Sequence, residues 1–163
     1  MNGIFNKRCD KLAFYGVKSG SDEVFTKMQG FTALSVSKNP KTYKRRYVDE
    51  PYEQTDVVGY APEISYAFDR FTGNSVHDDI VKITDGELTG QDCIRSIIIV
   101  DLTAPGGGGY PAIKRDFAVI PSSEGGEGEV YSYTGKLMVK GEMVVGTAEI
   151  SDNICTFTAN ETV

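Results

Sequence analysis

The sequence has no tryptophan and only one histidine, His77. With one imidazole in the chain, any nucleophile–histidine–acid arrangement must use His77 as its base. No GxSxG elbow and no Cys in a recognisable catalytic context accompanies it. Asp78 and Asp79 follow His77 directly, but consecutive residues of a helix diverge around its circumference and cannot close on one ion. No second His or well-placed Cys completes a ligand set. His77 therefore reads as a surface histidine among acids. Any two of the 23 acidic residues could meet as a glycosidase-type pair, yet no spacing singles one out. The chain reads as a non-enzyme that uses no metal and no cofactor.

Cysteine is also scarce. Cys9, Cys93 and Cys155 are odd in number, widely spaced and without a CxxC pair, which suits reduced thiols. Apolar runs fall well short of the roughly 20 residues that cross a bilayer. The opening MNGIFNKRCDKLAF carries charges where a signal peptide places its apolar stretch. Synthesis and residence in a cytosol, away from membranes, are the expectation. Positive charge is in deficit too: 17 Lys and Arg against 23 Asp and Glu give a net charge of −6. Gripping nucleic acid requires neutralising phosphates, so this balance disfavours it. It suits a surface to which nucleic acid must not stick.

What the chain does contain is strand material. Its 18 Gly lie among short runs of β-branched and aromatic residues, the pattern of strands joined by turns. Its 163 residues suit one well-cored domain spanning 1–163. Strands are predicted at 11–17, 24–28, 31–38, 63–71, 94–102, 112–120, 129–139, 142–150 and 154–159. In EISYAFDRF, Ile64, Tyr66 and Phe68 alternate with Glu63, Ser65 and Asp69. IRSIIIVDL, from Ile94 to Leu102, reads as a buried strand. One helix is predicted over about 75–85, with Ser75 as N-cap, Asp78 closing a capping box, and Val76, Ile80 and Ile83 forming one stripe. Gly86 stands where a C-terminal cap is expected. This order implies a mainly β fold: two packed, twisted antiparallel sheets, a sandwich or barrel, flanked by one helix. Gly106 to Gly109 is followed by Tyr110-Pro111 rather than Lys-Ser/Thr and a helix, so it reads as a turn and not a phosphate loop.

Residues 39–59 break the pattern. The segment opens on the basic cluster Lys38, Lys41, Lys44, Arg45 and Arg46, interleaved with Tyr43, Tyr47 and Tyr52, and acids follow at Asp49, Glu50 and Glu53. Loops this long without structure of their own are uncommon in compact domains. The flanking strands would form the arms of a long hairpin with this excursion between them. A contact between copies, a solvated loop and a nucleic-acid patch all fit these residues. The Tyr and Arg content, typical of interface anchors, favours the contact.

The block EISYAFDRFTGNSVHDDIVKITDGELTG, followed by IRSIIIVDL, the Gly-rich turn and DFAVIPSSEGGEGEVYSYTGKLMVKGEMVVGTAEI, resembles the major tail tube proteins of long-tailed phages and prophages, relatives of type VI secretion ring proteins. The resemblance implies a structural subunit that self-assembles into stacked, hexameric rings around a DNA-conducting channel, in a virion tail assembled in the host cytoplasm. It implies contacts with copies of itself, a tape-measure protein and tail terminator or tip proteins, and passage of double-stranded DNA without specific binding. A flexible tail fits the C-terminal pattern better than a contractile one. Carried over by position, Lys41, Tyr43, Lys44, Arg45, Arg46, Tyr47, Glu50 and Tyr52 would meet the neighbouring ring. Ser75, His77, Asp78, Ile80 and Ile83 would lie on a subunit-contact helix. Glu127, Glu129, Glu142 and Glu149, which punctuate the C-terminal strands, would face the lumen. Two rival readings stand beside this one: a β-sandwich binding module of a tail tip, baseplate or carbohydrate-recognising protein, and a hydrolase with a deep carboxylate pocket.

Overall fold

The computed structural model describes residues 2–161. The elements run β1 (Lys11–Ser19), β2 (Asp22–Lys27), β3 (Phe31–Ser37), β4 (Pro40–Arg45), β5 (Gln54–Tyr60), β6 (Glu63–Asp69), α1 (Ser75–Asp85), β7 (Ile94–Asp101), β8 (Tyr110–Gly125), β9 (Ser132–Val139), β10 (Val144–Ser151) and β11 (Ile154–Ala159). Among the described residues the fold is mainly β with one α-helix, as the sequence implies.

Nine strands form one antiparallel sheet in the order β10-β11-β2-β1-β7-β8-β9-β6-β3, and β10 pairs in addition with β8. That last pairing closes six strands into a barrel. It is possible because β8 is 16 residues long and changes partner along its length. Its first part, Tyr110 to Lys114, lies against β10, and Phe117 to Gly125 lies against β9. The two expected sheets are thus two regions of one sheet, a barrel and a four-stranded extension (β8, β9, β6, β3) that shares β8 with it.

Two apolar clusters follow from this closure. Phe14, Ile98, Val100, Ala112, Ala148 and Cys155 come from barrel strands and form one. The neighbours of these residues on β1 and β7, Tyr15 and Ile97, belong to the other, with Ile64, Tyr66, Phe68 and Leu137 of the extension and Ile80 and Ile83 of α1. Successive residues of a strand point to opposite faces, so β1 and β7 bury both faces. This is why IRSIIIVDL lacks alternation. In β6, covered on one face only, the expected alternation appears residue by residue, with Ile64, Tyr66 and Phe68 buried.

Two glycines are required by close approach. A Cβ at Gly146 would collide with the Thr158 carbonyl and the Phe157 ring. One at Gly135 would collide with the Tyr66 hydroxyl and the Ile120 carbonyl.

The helix has the predicted bounds and Gly86 is its C-cap, as expected, but the N-cap differs. Asn74, not Ser75, is the N-cap: its side-chain oxygen accepts from the N–H groups of Val76 (3.1 Å) and His77 (3.3 Å). At the other end Gly86 remains in the right-handed region at φ −83°, and Glu87 takes the left-handed position at φ +48°. The Leu88 N–H bonds the Ile83 carbonyl and the Glu87 N–H bonds the Thr84 carbonyl, the paired bonds of a Schellman ending.

Candidate assembly surface

The excursion at 39–59 is a folded hairpin. β3 and β6 pair antiparallel from Phe31–Phe68 to Ser37–Glu63, confirming the long hairpin. β4 and β5 resume the same frame at Pro40–Tyr60, three residues further along each strand. The two ladders are separated at Asn39, which adopts φ +45°, and at Pro62, which has no N–H to donate. The Asn39 side-chain amide donates to the Ala61 carbonyl at 3.1 Å, and the Ala61 N–H donates back to Lys38 and Asn39 carbonyls. One hairpin thus begins within the large sheet and continues as a separate two-stranded ribbon. Six residues of β4 extend it by about 20 Å, with the tip beyond.

Two of the basic residues are matched within the ribbon. Arg45 pairs with Asp56, and its remaining guanidinium nitrogens donate to the Tyr47 hydroxyl at 3.0 Å and to Gln54 Oε1 at 3.3 Å. The Gln54 amide donates to Glu50 at 2.5 Å, and Lys44 lies 3.8 Å from Glu53. The Arg45 guanidinium also stands 5.9 Å from the Tyr43 ring centroid and 5.6 Å from that of Tyr47, within cation–π range. Of the basic cluster, Lys44 and Arg45 face carboxylates, while Lys38, Lys41 and Arg46 make no ion pair among the described residues.

Apolar surface is left bare as well. Tyr43, Tyr47, Val48, Tyr52, Val57, Val58 and Tyr60 are all exposed, Tyr52 at 78%. Val57 and Val58 were missed at the sequence level, although two adjacent valines in a polar stretch are a usable signal. An isolated two-stranded hairpin is marginally stable in water, and this one carries bare tyrosines, a residue type enriched at interfaces.

The other predicted sites fare differently. His77, Ile80 and Ile83 are completely buried in this chain's own core, which corrects their placement on a subunit contact. Their side chains point inward because the apolar stripe of α1 packs against Tyr15, Phe68 and Ile97. Ser75 and Asp78 are exposed, and Asp78 pairs with Arg70 at 2.6 Å. His77 is likewise not the expected surface histidine. Its ring stacks on Phe68 with centroids 4.2 Å apart, its Nδ1 accepts from the Phe71 N–H at 3.2 Å, and its Nε2 lies 2.8 Å from the Gln29 carbonyl. A carbonyl can only accept, so the proton sits on Nε2. Burial pushes the imidazole below its ordinary pKa.

The four candidate lumen acids do not share one place. Glu127 and Glu129 lie in the β8–β9 connection and Glu142 in the β9–β10 turn. These turns sit at opposite ends of β9, roughly 26 Å apart for an eight-residue strand. Glu149 is exposed on β10, in the barrel. Among the described residues there is no cluster of His, Cys, Asp and Glu suited to a metal, and no helix is long and apolar enough to cross a membrane.

The architecture recurs in tail particles. A chain from the tail of an empty gene transfer agent particle, refined with C6 symmetry, superposes with a TM-score of 0.63 over 95% of this chain and 100% of its own length, at 15% identity. A chain of the native gene transfer agent virion gives a TM-score of 0.60 over the same shares, also at 15% identity. A chain from the tube-terminating cap of the anti-feeding prophage gives 0.53 over 91% of this chain and 95% of that one, at 16% identity. No family model matches the sequence. No curated protein matches it either. The chain shares its fold with subunits of phage-like tail particles, at sequence identities too low to carry residue roles across.

Proposed function

We propose that the protein is a structural, non-enzymatic subunit of a phage-type tail tube, self-assembling into stacked rings around a channel for DNA. The observation that carries this reading is the likeness of nearly the whole chain to a whole chain of a C6-symmetric tail. The ribbon β4–β5 supports it, since its exposed tyrosines and valines need a partner. In this reading rings are hexameric, and residues 39–59 reach the neighbouring ring through Tyr43, Tyr47, Tyr52 and the valines beside them. A net charge of −6 limits adhesion of a duplex carrying one charge per ~1.7 Å. The partners are copies of this chain, a tape-measure protein inside the tube, and terminator or tip proteins at its ends.

Negative-stain microscopy of the purified full chain over a concentration series tests the reading. Rings or tubes that lengthen with concentration are expected. Strict monomers at every concentration, including on co-expression with tail chaperones, would overturn it. A monomer that binds carbohydrate would favour a binding module in its place.

A further inference from the structure

The segment before β1 leaves two large apolar side chains uncovered. Ile4 is 96% exposed and Phe5 is 94% exposed, and neither belongs to either apolar cluster. Beside the root of this segment the chain has a complementary defect. A cleft of about 460 Å³ opens at the edge of the core, floored by Leu12, Met28, Leu34, Val36, Ile64 and Ile99. It lies where the first residues of β1 meet the edge strand β3, and its lining also includes Asn6 and the charged side chains of Lys7, Arg8, Asp10, Lys11 and Asp101.

Filling this cleft with the chain's own Phe5 is opposed by the way the root is fastened. The Lys7 N–H donates to Asp10 Oδ2 at 2.7 Å, and Arg8 donates to the Lys11 carbonyl at 3.1 Å and across to the Leu34 carbonyl at 2.7 Å. Residues 8–10 form a 3-10 turn, and the Leu102 N–H holds the Asp10 carbonyl at 2.8 Å. These bonds fix the chain on the rim one residue beyond Asn6, so Phe5 would have to double back at once. Extended, Asn2 to Asn6 reaches up to roughly 17 Å away from the body. That segment carries no charged side chain, so it takes no charge of its own out of water on seating against the apolar floor.

We infer that Ile4 and Phe5 of one copy seat in the cleft of a neighbouring copy, with Val36, 45% exposed, among the residues they cover. The proposal rests on the self-assembly reading above and assigns one of its contacts. Segment and cleft are different surfaces of the same molecule, so in a ring the contact runs head to tail, whereas a reciprocal exchange of segments between two copies would stop at a dimer. It is separate from the β4–β5 ribbon, which would join rings.

Disulfide trapping on the full-length chain tests it. Phe5→Cys and Val36→Cys are combined in a Cys9→Ser background, which removes the exposed native thiol and leaves the buried Cys93 and Cys155. Ile4 and Phe5 are bare and Val36 is 45% exposed, so these changes leave the core intact. Mild oxidation is expected to give a ladder of dimers and higher species on a non-reducing gel, absent from each single-cysteine parent. A double serine variant, Ile4→Ser with Phe5→Ser, should raise the concentration needed for assembly at least about tenfold. A monomer with an internal disulfide, or no crosslink while the Cys9→Ser parent forms tubes by microscopy, would overturn the inference and leave the tube reading standing. A Cys9→Ser parent that never assembles would remove both.

Discussion

The Arg95 guanidinium grips the Asp79 carboxylate in a two-pronged pair, Nε to Oδ2 at 2.8 Å and Nη2 to Oδ1 at 3.2 Å, with side chains only 8% and 10% exposed. The Tyr15 hydroxyl donates to the same carboxylate at 2.5 Å, and the Arg95 Nη1 satisfies the carbonyls of Asp92 and Ile94. One acid of α1 is thereby tied to β1 and β7. Burial, and then the neighbouring carboxylate, push the Tyr15 phenol well above its ordinary pKa, so it stays a donor. Replacing Asp79 by Asn leaves a buried guanidinium uncompensated, a loss of about 3–5 kcal/mol. Tyr15→Phe removes one charge-assisted bond, a loss of about 1.5–3 kcal/mol. Urea unfolding of the three proteins should order them wild type, Tyr15→Phe, Asp79→Asn. Equal midpoints for wild type and Asp79→Asn would show that the pair does not hold the helix.

The end of α1 offers a gain in stability. Glu87 adopts φ +48° while the preceding Gly86 sits in a region open to any residue. A left-handed conformation costs an L-residue roughly 1–2 kcal/mol, a strain that glycine avoids. Glu87→Gly should therefore raise the unfolding free energy by about 1 kcal/mol. Gly86→Ala should lower it, because the new Cβ would stand 2.9 Å from the Lys82 carbonyl. A thermal shift of the same sign in both variants would refute this account.

The helix and β6 were readable because each presents one covered face: Val76, Ile80 and Ile83 recur at helical spacing, and Ile64, Tyr66 and Phe68 at strand spacing. The cap slipped by one residue because Asn74 and Ser75 are both competent caps. His77 was misread because its neighbours Asp78 and Asp79 suggested water, whereas its surroundings are set by Phe31, Phe68 and Phe71. Closure through β8 was not read because its buried face switches along one continuous strand, from Ala112 in the barrel cluster to Phe117 and Val119 in the other. In the ribbon the pairing of Arg45 with Asp56, 11 residues on, hid strand structure inside what looked like a loop.

His77 gives the fold a sign-definite pH response. Its folded pKa is lowered from the ordinary 6.5 by burial, so between those two values the unfolded chain binds more protons than the folded one. Stability is then full above about pH 6.5 and falls as the pH drops through that value. Protonation would also convert Nδ1 from the acceptor of the Phe71 N–H into a second donor. The melting temperature should fall from about pH 7.5 to about pH 5.5, and His77→Phe, less stable throughout, should show a flatter profile. An unchanged slope in that variant would assign the response to other groups.

The ribbon is where folding and assembly can be separated by mutation. Tyr43, Tyr52 and Val58 are exposed, and none belongs to either apolar cluster of the body. Replacing all three by Ser should leave the unfolding midpoint of the body within about 0.5 kcal/mol of wild type. In the proposed tube, ring stacking should nevertheless be lost, because residues that anchor an interface each contribute about 1–2 kcal/mol or more. Deleting Thr42 to Gln54 should have the same effect in stronger form. Arg45→Ala should act differently: it frees Asp56, Gln54 and the Tyr47 hydroxyl together, loosening the ribbon without removing an exposed apolar anchor. Stacking should then survive at higher concentration. Microscopy of rings against tubes, with circular dichroism as the check on folding, distinguishes the cases. Tubes of normal length from the triple serine variant would place the inter-ring contact elsewhere on the molecule.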